Sequence, residues 1–302
     1  MKQIIFLISA PRSGSTLLQK LLVTSEKINT AAEPWWLLPL LRYKSNQGYE
    51  SYNKRIASKA IQDFDAYFNK ATGSSLDSEI AKMVQEAYCL LAPDGGYFLD
   101  KTPRYYLIVD ELRELFPQAK FIFLTRNPLE ILASKLSSHN GTFHAYYKYK
   151  IDLYQSVKSI TNSLHTREDN IFHLDYNELI SSESNCVKQL KSFLQLDDID
   201  SKKINQVEVN GRMGDPKAMT QNEGIRSERS FWYNTIDSPI KYLVFKKIFS
   251  AIPDDYFHFS ETSKSSVKND FKKISWLAYV NFWQGTIDGL ALIRSYLTKH
   301  SK

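Results

Sequence analysis

Short apolar runs at residues 4–8, 121–124 and 171–174 each stop at a turn and give way to a helical pattern of apolar positions. That alternation is expected of parallel strands buried on both faces and joined by crossover helices. Residues 97–99 are a shorter fourth strand candidate. Helices are predicted over 17–24, 128–138 and 183–194, the last with Val187, Leu190, Phe193 and Leu194 at helical spacing. Between 37 and 91 the chain reads as mostly helical and rich in Tyr and Phe, with a turn at Ala71-Thr72-Gly73-Ser74-Ser75, hence a helical insertion over the sheet edge. From 207 to 230 the pattern lapses and polar residues with three Gly take over, the mark of a functional or disordered segment.

These patterns predict an α/β fold with a central parallel sheet and flanking helices over residues 1–260, followed by a helical extension over 261–302. Within 274–297, Trp276, Tyr279, Phe282, Trp283 and Leu290 are interrupted by Asn281, Gln284, Gly285, Asp288 and Gly289. The stretch is therefore a poor membrane span. Core packing is the expected role. A weak membrane-surface or dimer helix, aided by Lys268, Lys272 and Lys273, is the alternative.

Composition narrows the picture little: 43% hydrophobic and 24% charged residues are those of an ordinary globular chain of 302 residues. The net charge of +6 favours anionic ligands. Seven basic and three acidic residues fall between 261 and 302, so much of the excess lies at the C-terminal end, and nucleic acid is not the expected partner. The two cysteines, Cys89 and Cys186, form no metal-ligand spacing and read as reduced core thiols of a cytoplasmic protein, with no metal site. The apolar start near Lys2 is too short for a signal-peptide core and runs straight into the next motif, so it is expected to be the first core strand.

That motif is Ser9-Ala10-Pro11-Arg12-Ser13-Gly14-Ser15-Thr16, between the first strand and the first helix. Strand, Gly/Ser loop and helix N-terminus make a phosphate cradle of backbone N–H groups. A Walker A loop needs a first Gly and a Lys where this chain has Ser9 and Ser15. The loop offers a different cation, Arg12. A second anion site is suggested at Arg126-Asn127-Pro128, where a buried strand ends, with Ser134 two helical turns on. An Arg fork and a Ser hydroxyl together suit a phosphate monoester. The alternative is an Arg paired with a carboxylate and a plain surface Ser.

With both motifs in this order, the chain resembles the sulfotransferases that use 3′-phosphoadenylyl sulfate, whose fold is similar to that of P-loop NTPases. Their 5′-phosphosulfate loop looks like Pro11-Arg12-Ser13-Gly14-Ser15-Thr16-Leu17-Leu18, and their 3′-phosphate motif matches Arg126 and Ser134. A third similarity, Asp175-Tyr176-Asn177-Glu178-Leu179, implies that Tyr176 contacts adenine, although Asn177 and Glu178 replace the family's Glu-Asp pair. The resemblance spans about residues 1–200. It implies that Arg12, Ser13, Gly14, Ser15, Thr16, Leu17, Arg126, Ser134 and Tyr176 bind the nucleotide cosubstrate. In the segment Gly224-Ile225-Arg226-Ser227-Glu228-Arg229, Arg226 would lie in the basic loop that closes over it.

The resemblance also implies catalytic roles. Arg12 stands where many members carry Lys, as in the tyrosylprotein and carbohydrate branches, and can hold the bridging and sulfuryl oxygens bidentately. Lys101 would reach the phosphosulfate. Pro103 occupies the place of the small-molecule branch's His base, so Glu33 is the expected base, as in tyrosylprotein and heparan-type members. Trp35 and Trp36 would partly desolvate its carboxylate. A structural pairing of Glu33 with a nearby Arg is the alternative, and His139 and His144 are rival bases.

A transferred sulfuryl carries less charge than a phosphoryl, so side-chain cations and loop amides can suffice without Mg2+. Candidate acceptor-facing rings are Trp35, Trp36, Tyr43, Tyr105, Tyr106 and the cluster Phe143-His144-Ala145-Tyr146-Tyr147. The expected reaction is sulfuryl transfer to a hydroxyl or amine of a small molecule, glycan or lipid. A P-loop small-molecule kinase and an inactive nucleotide-binding module are the other readings.

Overall fold

The computed structural model describes residues 3–41, 54–138, 143–166, 168–181, 183–207, 209, 232–259, 262–272 and 274. Five parallel strands are hydrogen-bonded in the order β2-β3-β1-β4-β5: β1 (Gln3–Ser9), β2 (Ile28–Thr30), β3 (Tyr97–Asp100), β4 (Lys120–Thr125) and β5 (Ile171–Asp175). The α/β class and the parallel sheet are as the apolar runs predict. β2 was not anticipated, because three residues of mixed polarity carry no strand periodicity. Its register, with Ile28 opposite Tyr97 and Thr30 opposite Leu99, comes from pairing with β3.

The chain forms two compact units, one of residues 1–125 and 155–227, the other of 126–154 and 228–302. In the first, alternate residues of β1 point to opposite faces and both faces are buried. Ile5 and Leu7 pack with Leu18, Leu21 and Leu22 of α1 (Ser15–Leu22), and with Cys186, Leu190 and Leu194 of α9 (Glu183–Leu194). Phe6 packs on the other face against the rings of Tyr105, Phe116 and Phe121 at 5.5–6.3 Å.

The first helix starts at Ser15, two residues earlier than its periodicity predicts. Gly14 at φ 93 breaks the loop directly before it, and the Val23 N–H bonds back to Gln19 at its end. Helices α2 (Leu37–Leu41), α3 (Lys54–Thr72) and α4 (Leu76–Leu91) lie before β3, and α5 (Val109–Leu115) lies before β4. Helix α8 (Tyr176–Ser181) follows β5 directly. Helix α7 (Phe143–His165) was not legible as a helix in the sequence.

The second unit contains α6 (Pro128–Ser138), as predicted, and α10 (Pro239–Ala251). Its core stacks Trp232 on Phe245 and sets it at a tilt against Phe271, with ring centroids 5.7 and 4.8 Å apart. Asn127 Oδ1 accepts the Leu129 N–H at 3.0 Å and Pro128 opens α6, so the Asn-Pro pair is a helix start. Among the described residues no helix is long and apolar enough to cross a membrane. Trp276 and the aromatic residues after it lie outside the described residues.

Candidate active site

Three neighbouring strands, β2, β3 and β1, end on one edge of the sheet and continue into the residues singled out from sequence. Thr30 leads to Glu33, Asp100 to Lys101, and Ser9 to the phosphate loop. The C-terminal edge of an open parallel sheet is where ligands of this fold class bind.

The loop is built from left-handed turns. Arg12 at φ 75 and Gly14 at φ 93 flank Ser13, whose N–H bonds to the Ala10 carbonyl at 3.2 Å. Successive turns of this kind point backbone N–H groups inward as an anion nest, and the N-terminus of α1 faces the same loop. The hydroxyls of Ser13 and Ser9 are buried with no hydrogen-bond partner among the described residues. Buried polar groups are nearly always bonded, so these hydroxyls fit a polar ligand. Tyr176 closes over the loop: a Cβ on Gly14 would lie 2.5 Å from the Tyr176 ring. Gly14 is therefore required both by its backbone angle and by this close approach.

Lys101 is 1% exposed, and its Nζ donates to Glu33 Oε1 at 2.7 Å. Lys101 is therefore a buried, paired cation and not a solvated side chain. Glu33 is paired as the sequence also allowed, but with Lys101 rather than an Arg. Its other oxygen, Oε2, accepts the Trp35 indole N–H at 3.0 Å. Trp35 has φ 61 and lies under the Arg104 guanidinium, 5.8 Å from the ring centroid.

Two groups that sequence reasoning missed hold this segment. Gln19 of α1 donates to Thr30 Oγ1 and the Ala31 carbonyl, each at 2.9 Å, and to the Ala32 carbonyl at 3.3 Å. A lone Gln among the leucines of a buried helix was the available signal. Asp100 is fully buried; its carboxylate accepts a short hydrogen bond from Tyr88, and others from Tyr105 at 2.9 Å and Thr102 at 3.1 Å. Burial pushes its pKa up to about 6, against those hydrogen bonds and the Lys101 charge. Burial first, and then the Asp100 charge, push the Tyr88 and Tyr105 hydroxyls above their ordinary range, so both stay protonated as donors. A carboxylate closing the apolar run Tyr97-Phe98-Leu99 was the signal for this cluster.

Two acceptor-facing candidates are corrected. Tyr105 and Tyr106 are buried to 0% and 2% exposure and belong to the core. The Trp36 indole N–H is engaged by Tyr88 Oη at 2.7 Å. Cys186 is a core thiol as expected, but Cys89 is only half-buried and accepts from Gln85. Tyr43, His139 and Arg226 lie outside the described residues, as do the side chains from Phe143 to Tyr147.

In the second unit, Arg126 Nε donates to Glu130 Oε2 at 3.1 Å, and the Arg126 carbonyl accepts the Tyr256 hydroxyl at 2.9 Å. The carboxylate partner that the sequence left open is thus Glu130. Ser134 lies on α6, one residue before Lys135, which forms a buried pair with Asp152 at 3.1 Å.

A sequence model described as "Sulfotransferase family" matches residues 4–200. The nodulation protein NoeE of Sinorhizobium fredii is 33% identical over 140 residues, covering 46% of this chain and 32% of that protein. An uncharacterised protein of Aquifex aeolicus is 24% identical over 204 residues, covering 65% and 26%. The chain thus spans about a third or less of the length of these curated relatives. Among solved structures, mouse sulfotransferase SULT7A1 complexed with PAP is 13% identical with a TM-score of 0.49, covering 83% of this chain and 84% of its own. The sulfotransferase domain from the curacin biosynthetic pathway is 24% identical with a TM-score of 0.47, covering 74% and 84%.

Proposed function

This chain belongs to the sulfotransferase family, and on that premise we propose that it moves a sulfuryl group from 3′-phosphoadenylyl sulfate to a hydroxyl or amine of a small molecule, glycan or lipid. The observation that carries the proposal is the shared sheet edge, where β2, β3 and β1 deliver Glu33, Lys101 and the Arg12 loop.

In this reading Glu33 takes the proton of the acceptor hydroxyl, whose oxygen forms the new bond to sulfur. The bridging S–O bond breaks, and its electron pair stays on the departing 5′-phosphate of adenosine 3′,5′-bisphosphate. Arg12, Lys101 and the N–H groups from Ser13 to Leu17 hold the charge that develops on the sulfuryl and bridging oxygens. The orphaned Ser13 hydroxyl fits the same phosphosulfate. From the sequence motifs, Arg126 and Ser134 take the 3′-phosphate, Tyr176 the adenine, and Arg226 a closing contact. No step requires a metal.

The test is incubation of the protein with sulfur-35-labelled donor and a panel of hydroxylated metabolites, glycans and lipids, without added Mg2+. Label transferred to an acceptor supports the reading. Mg2+-dependent phosphorylation from ATP would establish a kinase. Tight adenosine 3′,5′-bisphosphate binding without transfer to any acceptor would establish a binding module.

A further inference from the structure

The geometry points to Asp100 as a positioning residue for Glu33, acting through Thr102, Tyr88 and the two tryptophans that follow the base. The inference rests on the reading of Glu33 as the base.

Asp100 ends β3, and one of its carboxylate oxygens accepts both the Tyr88 and the Tyr105 hydroxyls. The other accepts the Thr102 hydroxyl. Two of these contacts are passed on to the segment carrying Glu33. Thr102 Oγ1 accepts the Trp35 backbone N–H at 3.2 Å, and Tyr88 Oη accepts the Trp36 indole N–H at 2.7 Å. Trp35 then holds Glu33 Oε2 through its own indole N–H. A tryptophan at φ 61 persists only where its surroundings fix it, and these bonds are what fix it. Lys101, joined covalently to Asp100, grips the other carboxylate oxygen at 2.7 Å. One oxygen of the proposed base is therefore placed by Trp35, whose backbone the Asp100–Thr102 pair holds, and the other by Lys101, the next residue after Asp100. A base must lie within hydrogen-bond reach of the proton it takes, so this ordering bears on turnover.

The experiment compares Thr102→Val, Thr102→Ser, Asp100→Leu and Asp100→Asn by amide hydrogen exchange, by calorimetric binding of adenosine 3′,5′-bisphosphate, and by turnover with an acceptor from the panel. Thr102→Val removes the acceptor of the Trp35 N–H together with the hydroxyl that donates to Asp100, so it cuts the link between the two. It should speed Trp35 amide exchange about tenfold or more while the rest of the sheet stays protected. Turnover should fall about tenfold or more, with nucleotide affinity changed by about twofold or less. Thr102→Ser should restore both. Asp100→Asn is the conservative counterpart of Asp100→Leu: one amide oxygen can accept both tyrosine hydroxyls, so Trp35 exchange should be slower in Asp100→Asn than in Asp100→Leu. Asp100→Leu should behave like Thr102→Val; if it does not fold, the Thr102 pair carries the test.

Unchanged Trp35 exchange in Thr102→Val overturns the proposal, as does faster exchange with unchanged turnover. Absence of transfer by the unaltered protein overturns the sulfuryl-transfer reading instead. The exchange series still decides whether Asp100 orders the segment.

Discussion

Arg12 and Trp35 both hold the left-handed backbone that L side chains avoid, at φ 75 and 61. Each such residue costs about 1–3 kcal/mol and tends to sit where function demands it. Replacing Arg12 by Gly or by Ala removes the same guanidinium, but only Gly also relieves the backbone. Arg12→Gly should therefore be about 1 kcal/mol more stable than Arg12→Ala by urea denaturation, with both variants deficient in transfer by about 10²–10³-fold. Equal stability would mean that the loop does not hold this conformation in solution. Glu33→Gln keeps a carbonyl oxygen for Lys101 and should fold and bind nucleotide, while transfer falls by about 10²–10⁴-fold. Near-normal turnover would move the role to His139 or His144. Arg12, Glu33 and Lys101 were legible singly, because each stands at a recognisable place relative to a strand or loop. Their surroundings were not. Gln19, Tyr88 and Thr102 meet the Glu33 segment across separations of 11 to 67 residues, which no local pattern encodes.

Among the elements, those with a strong period were read closely. Residues 128–138 and 183–194 are helices as predicted, and the apolar runs at β1, β4 and β5 grew by only a residue or two. The misses have physical causes. β2 is defined by its pairing partner, and α7 mixes aromatic and polar residues around its circumference. At the start of α6, charge and cap are adjacent but separable. Asn127→Ala removes the cap and should cost about 1 kcal/mol of stability in urea denaturation, leaving the Arg126 side chain in place. Arg126→Ala should instead remove most of the preference for adenosine 3′,5′-bisphosphate over 5′-AMP, about 1.5–3 kcal/mol by calorimetry, if Arg126 holds the 3′-phosphate. Because Glu130 shares this guanidinium, Glu130→Gln should strengthen binding of the bisphosphate. An unchanged nucleotide preference in Arg126→Ala would leave the residue as the structural partner of Glu130.

For the molecule as a whole, the Asp100 cluster ties stability to pH. Burial raises this carboxyl from an ordinary 3.8 to about 6, so the folded chain holds the proton more tightly than the unfolded chain does. Below pH 3.8 both states are protonated, and burial of the group costs no ionisation energy. As pH rises from 3.8 to about 6, the unfolded chain releases the proton while the folded chain keeps it, and stability falls. The full loss is about 3 kcal/mol, reached above pH 6, of which about half falls between pH 5 and 7. Asp100→Asn carries no titrating group there and can keep both tyrosine hydrogen bonds, so it isolates the effect. Urea denaturation of both chains at pH 5, 6, 7 and 8 should show Asp100→Asn gaining about 1–2 kcal/mol relative to the unaltered chain between pH 5 and 7, then holding level. A difference independent of pH would mean that Asp100 titrates near its ordinary value. The hydrogen bonds from Tyr88, Tyr105 and Thr102, with the Lys101 charge, would then offset the whole cost of burying the carboxylate.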